Sequence, residues 1–146
     1  MPALFNKLGI AFQYPENWQL DDADIREGRK SVTVYSPSGG AFWMVSVHPR
    51  TNEPAKLAAD ALHAMTQEYE EVESEVVSEV ISDFKLVGYN LNFYYLDLTN
   101  SAVVRSARTK HNTLTIFYQG EDREFAKIEP VFRAMTVSLL RESGRA

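Results

Sequence analysis

The chain has 146 residues, 45% of them hydrophobic, with 15 basic and 20 acidic side chains and a formal net charge of −5. That length suits a single domain, 1–146, which buries about two-thirds of its unfolded surface without staples. Because cysteine is absent, disulfides, thiolate catalysis and zinc–thiolate sites are excluded, and the mild, unclustered charge argues against a nucleic-acid partner.

Met1 to Gly9 carries one lysine and no apolar run long enough for a signal-peptide core, and no stretch approaches a membrane span, so a cytoplasmic protein is expected. Ile10, Phe12 and Tyr14 alternate with Ala11 and Gln13 as a first strand, which Pro15 ends and Trp18 to Asp21 resumes. Asp21, Asp22, Asp24 and Glu27 form an acidic loop closed by Gly28. Ser31 to Ser36 is the next strand, Pro37-Ser38-Gly39-Gly40 a turn, and Ala41 to His48 a partner strand. Trp43, Val45 and Val47 on one face and Phe42 and Met44 on the other make that partner a central strand with cover on both sides.

Pro54 suits the first turn of a helix, where its missing N–H is not needed, and Leu57, Ala58, Ala61, Leu62, Met65 and Tyr69 continue at helical spacing to about Glu70. Val72 to Phe84 fits both a helical stripe and strict alternation. The β-branched residues and interior serines favour a strand, paired with Gly88 to Leu98 through a turn around Lys85 to Val87. Leu86 to Gln119 reads as a three-stranded meander: Tyr89, Leu91, Phe93 and Tyr95 on one face of its first strand, a turn at Asp97 to Ser101, a second strand Ala102 to Thr109, a tight turn at His111-Asn112, and a third strand Thr113 to Gln119. Glu121 and Asp122 open a last helix carrying Phe125, Ile128, Phe132 and Met135, with Pro130 expected to kink it or split it into two short helices. Arg141 to Ala146 is expected to fray. The fold class is α+β: an antiparallel sheet of about six to seven strands flanked by helices.

The Phe12-x-Tyr-Pro-x-x-Trp18 segment, Gly88 opening the long strand and the ending Phe125, Phe132, Met135, Ser138 resemble the superfamily of the photosystem II protein PsbP and the Ran-binding protein Mog1. The chain also looks like bacterial single-domain members, some of them similar to chaperones of type VI secretion effectors. The resemblance implies a Mog1/PsbP-like α/β/α sandwich that binds proteins rather than catalysing a reaction. Separately, a monomer or homodimer with no cofactor is expected. No functional residue carries over. The partners of such proteins are mutually unrelated, so the fold names none of them.

Site candidates are few. His48, His63 and His111 would need to be brought together with carboxylates to make a metal-binding or hydrolytic site, and no HxxE or HExxH spacing is present. Neither G-x-S-x-G nor a phosphate-cradling loop is present, and the glutamates from Glu68 to Glu75 read as a solvated face. Tyr94 and Tyr95 face opposite ways, so one helix cannot bury both, and surplus aromatic surface is left for cover by the second helix or for a partner segment. Trp18 with Asp21, Asp22 and Asp24 either borders a surface for a basic or amphipathic segment, or Trp18 plugs the end of the core.

Overall fold

The computed structural model describes residues 2–144. Its elements in order are β1 (Pro2–Lys7), β2 (Ile10–Pro15), β3 (Gln19–Asp21), α1 (Ala23–Arg26), β4 (Ser31–Tyr35), β5 (Phe42–His48), α2 (Pro54–Glu68), β6 (Glu73–Ile81), β7 (Phe84–Tyr95), β8 (Leu98–Arg108), β9 (Thr113–Glu121) and α3 (Asp122–Ser143). Seven strands form one antiparallel sheet in the order β3-β4-β5-β9-β8-β7-β6, and β1 and β2 form a separate hairpin.

Alternation along the strands sends side chains into two cores. One face carries Val32, Val34, Trp43, Val45, Leu114, Ile116 and Tyr118, packed with Phe125, Phe132, Met135, Leu139 and Leu140 of α3. The β1–β2 hairpin joins this layer: Phe12 lies 4.8 Å from Trp43 between ring centroids, and the Gln13 backbone N–H donates to Ser138 Oγ at 2.9 Å. The other face carries Leu91, Phe93, Ala102, Val104 and Phe117 under Met65, Ala61 and Leu62 of α2. In the first core the Trp43 indole N–H donates to Thr136 Oγ1 at 3.1 Å, so its polar edge is satisfied where it is fully buried.

Val72 to Phe84 is not one strand ending in a turn at Lys85 to Val87. β6 stops at Ile81, Ser82-Asp83 turns, and β7 starts at Phe84. Likewise the expected turn at Asp97 to Ser101 is the pair Leu96-Asp97, with β8 already begun at Leu98. Both turns hold two residues at positive φ (51° and 70°; 52° and 62°), the geometry that closes a two-residue hairpin in step with strand twist, but they reach it without glycine. β1 and the short helix α1 were not anticipated either. β1 turns into β2 through Leu8-Gly9, again with both φ positive.

Pro130 does not divide the last helix, because α3 is a single helix of 22 residues. Pro130 and Ala126, the residue one turn earlier whose carbonyl loses its partner, both face solvent, where water replaces the missing bond. The fraying expected from Arg141 to Ala146 does not begin at Arg141, since α3 runs through Ser143; residues 145–146 lie outside the described residues. Gly88 sits inside β7, opposite Arg105, rather than opening the strand.

Candidate functional site

The strand order leaves two sheet edges. β3 is only three residues long, whereas β6 offers nine, aligned without interruption against β7 on its inner side. Glu73, Glu75 and Glu79 of β6 point to the α3 face, and Ser74, Val76, Ser78 and Val80 to the α2 face. α2 lies over β7, β8 and β9, which leaves Val76 78% and Val80 70% exposed. Around the β7–β8 turn, Tyr94, Tyr95, Leu96 and Leu98 are 57%, 54%, 77% and 44% exposed. Of the large apolar side chains exposed among the described residues, only Leu4 lies outside these two places.

Between α3 and β6–β8 runs a polar cleft of about 410 Å³ lined by Glu79, Asn90, Asn92, Ser101, Arg105 and Arg133. At its floor the side chain of Arg105 is 7% exposed; Nε donates to Glu79 Oε2 at 2.5 Å, Nη2 to Asn90 Oδ1 at 2.8 Å, and Nη1 to the carbonyls of Tyr89 and Val104. Arg133 of α3 reaches the other Glu79 oxygen at 2.9 Å. Burial pushes the Glu79 carboxyl up, but the hydrogen bonds and charges of Arg105 and Arg133 together outweigh it and hold the group below its usual range. Burial raises Tyr118, at the back of the cleft, to about 12. Opposite Arg105, Gly88 lets the β7 and β8 backbones approach closely: a Cβ there would stand 1.9 Å from the Val104 carbonyl oxygen. Arg105, one of two arginines in β8, gave no sequence signal for this network; only the β7–β8 and β6–β7 registers bring Glu79, Asn90 and Arg105 together.

The other candidates are placed as follows. Trp18 is 8% exposed and packs edge-on against Phe132 at 5.7 Å, so it plugs the core. The acidic loop is internally paired. Asp21 Oδ1 accepts the Ala23 N–H, Asp22 pairs with Arg26 at 2.5 Å, and Asp24 pairs with Arg29 at 2.7 Å and accepts from Ser31. The Ser31 hydrogen bond and then Arg29 hold the Asp24 carboxyl below its ordinary range. Tyr94 lies on the α3 face and Tyr95 on the α2 face, edge-on to Tyr69 at 5.6 Å. Neither helix covers either ring.

His48 ends β5 in an open groove of about 470 Å³ between α2 and the sheet, floored by Met44 and Phe117 and walled by Leu57 and Ala61. Its Nε2 lies 3.3 Å from Thr115 Oγ1, and burial lowers its pKa. His63 is exposed on α2 and His111 exposed in the β8–β9 turn. Among the described residues no group of three or more His, Asp or Glu side chains is arranged to hold a metal ion. No helix among them is long and apolar enough to cross a membrane.

No family model matches the sequence, and no curated protein does. Solved structures share the fold. Cyanobacterial PsbP from Synechocystis sp. PCC 6803 is 13% identical with a TM-score of 0.64, over 94% of this chain and 90% of that one. PA94, a protein of unknown function from Pseudomonas aeruginosa, is 13% identical with a TM-score of 0.59, over 94% and 95%. LpqN of Mycobacterium tuberculosis, involved in cell envelope biogenesis, is 10% identical with a TM-score of 0.52, over 92% and 86%. At these identities the likeness is one of fold, and the chain has the PsbP-like α+β fold.

Proposed function

We propose that this chain is a non-catalytic protein-binding module, working in the cytoplasm, that receives a partner protein on the tip of the β7–β8 hairpin. What supports this reading is the grouping of Tyr94, Tyr95, Leu96 and Leu98, all at least 44% exposed, on one protruding turn. Exposed apolar side chains are common singly, but here four within five positions crowd one hairpin tip, Tyr95 and Leu98 on one face of the sheet and Tyr94 on the other, and tyrosines supply contact area with few rotatable bonds. The turn is closed by two non-glycine residues at positive φ, so its side chains are presented on a fixed backbone rather than a loose loop.

A photo-reactive side chain at position 96, with the same group at the exposed Leu4 as control, tests the reading in cells of the source organism. One discrete protein adduct at 96 and not at 4, whose purified partner loses at least tenfold in affinity for Leu96→Ser, is the expected result. Equal adducts at both positions would overturn it.

A second reading rests on the α2 groove around His48, which is apolar enough for a small ligand. Thermal shifts in a panel of divalent ions and apolar small molecules separate the two. A ligand at a hundred times its dissociation constant raises stability by about 2.7 kcal/mol.

A further inference from the structure

We infer that β6 is a dimerisation edge: two copies of this chain pair antiparallel through β6 with the two-fold axis at Ser78, joining their sheets into one. This is independent of the partner reading, because the hairpin tip lies beyond the paired segment.

Three observations carry it. First, the backbone of β6 is poised to pair. Ser82-Asp83 is a two-residue turn with both φ positive, so its flanking residues Ile81 and Phe84 form a hydrogen-bonded pair. Counting back, every odd residue of β6 spends its N–H and C=O on β7, and Ser74, Val76, Ser78 and Val80 direct theirs outward. The strand has no proline, no lysine and no break in its register, and its only charged residues are Glu73, Glu75 and Glu79.

Second, Val76 and Val80, two of the residues whose backbone groups point outward, carry side chains on the α2 face that are 78% and 70% exposed. A two-fold axis perpendicular to the sheet at residue 78 places Val76 opposite Val80 of the second copy and Val80 opposite its Val76, covering all four at once. Cross-strand β-branched pairs of this kind are favourable.

Third, the charges select that axis over its neighbours. Centred on Glu75 or Glu79, the pairing sets a glutamate against its own copy. Centred on Val76 it opposes Glu73 to Glu79, and on Val77 it opposes Glu75 to Glu79. An axis at Val80 would pair only residues 79 to 81. Among axes that pair most of the strand, the Ser78 axis keeps the glutamates apart, with Glu75 opposite Ile81 and Val77 opposite a Glu79 that Arg105 and Arg133 already neutralise. The paired segment is then Glu75–Ile81, stopping before Glu73 meets the turn.

The chain has no cysteine, so register is read directly by single-cysteine variants. Across the axis, the hydrogen-bonded pair of residues at 78 has Cα atoms about 5.5 Å apart, within disulfide reach. The expected result is a wild-type particle of twice the 16.6 kDa chain mass in light scattering at ~100 µM. Ser78→Cys should cross-link on mild oxidation while Ser74→Cys does not, and Val76→Lys/Val80→Lys should be monomeric with an unchanged urea midpoint. A monomeric wild type, including one that takes up only a foreign peptide strand, overturns the inference. So does a dimer that cross-links at 74 but not at 78, or one that survives the double lysine variant.

Discussion

Replacing Glu79 by Gln keeps the shape of the side chain, removes its charge and turns one of its two acceptor oxygens into a donor, which makes it a direct probe of the cleft. Glu79 accepts two hydrogen bonds from cations: from Arg105, whose side chain is 7% exposed, and from Arg133, which is 53% exposed. A hydrogen bond to a charged group contributes about 1.5–3 kcal/mol when desolvated, and an exposed pair about 0–1 kcal/mol. The loss in Glu79→Gln should therefore be about 2 kcal/mol, nearly all of it from Arg105, and Arg133→Ala should cost less than about 1 kcal/mol.

The effect carries a pH signature. The native Glu79 carboxyl titrates below its ordinary value of 4.5, so the native state takes up this proton less readily than the unfolded chain. Its stabilisation is complete above that ordinary value and is lost as pH falls through the lower native one. Urea unfolding followed by Trp18 and Trp43 fluorescence, at pH 7 and then stepwise down to about 2, should show the gap between wild type and Glu79→Gln closing with acid. A cost below about 0.5 kcal/mol at pH 7, or a gap that persists unchanged in acid, would refute the placement of Arg105 and Glu79 as a buried, mutually dependent pair.

Gly88→Ala should cost about 3 kcal/mol in the same assay, since the new Cβ meets backbone rather than a movable side chain, and an unchanged midpoint would mean that β7 and β8 are further apart at that point. Trp18→Ala should lose about 3–5 kcal/mol; near-neutral stability would return the tryptophan to the surface. Asp83→Gly relieves a non-glycine residue at φ 70° and should stabilise by roughly 1 kcal/mol, whereas a destabilised variant would indicate a different turn.

The sheet, its two helices and the strand reading of the ambiguous valine-rich segment were legible because side-chain period, β-branching and the proline at the start of α2 act locally. The turns were not. Ser82-Asp83 and Leu96-Asp97 adopt the left-handed region without a glycine to mark it, so the first turn was expected too late, at Lys85 to Val87, and the second was extended past Leu98 to Ser101. α3 survived Pro130 because the proline faces solvent, a fact of burial that the sequence order does not display. At the site level, Tyr94 and Tyr95 were legible as surplus because a strand cannot bury neighbours on one side. The Glu79–Arg105–Asn90 network was not, since its members are 11 to 26 positions apart in the chain and meet only through strand register. The carboxylates at 21, 22 and 24 read as an acidic surface, yet Asp22 and Asp24 have counter-charges, Arg26 and Arg29, within five positions, and Asp21 accepts the Ala23 N–H.

The most direct test of the binding role is calorimetric titration of the partner recovered at position 96 against three proteins: wild type, Leu96→Ser/Leu98→Thr, and Asp21→Lys/Asp22→Lys. The hairpin tip as binding surface predicts at least a tenfold loss for the first variant and wild-type affinity for the second. Wild-type affinity in the tip variant, or a loss confined to the acidic-loop variant, would contradict it.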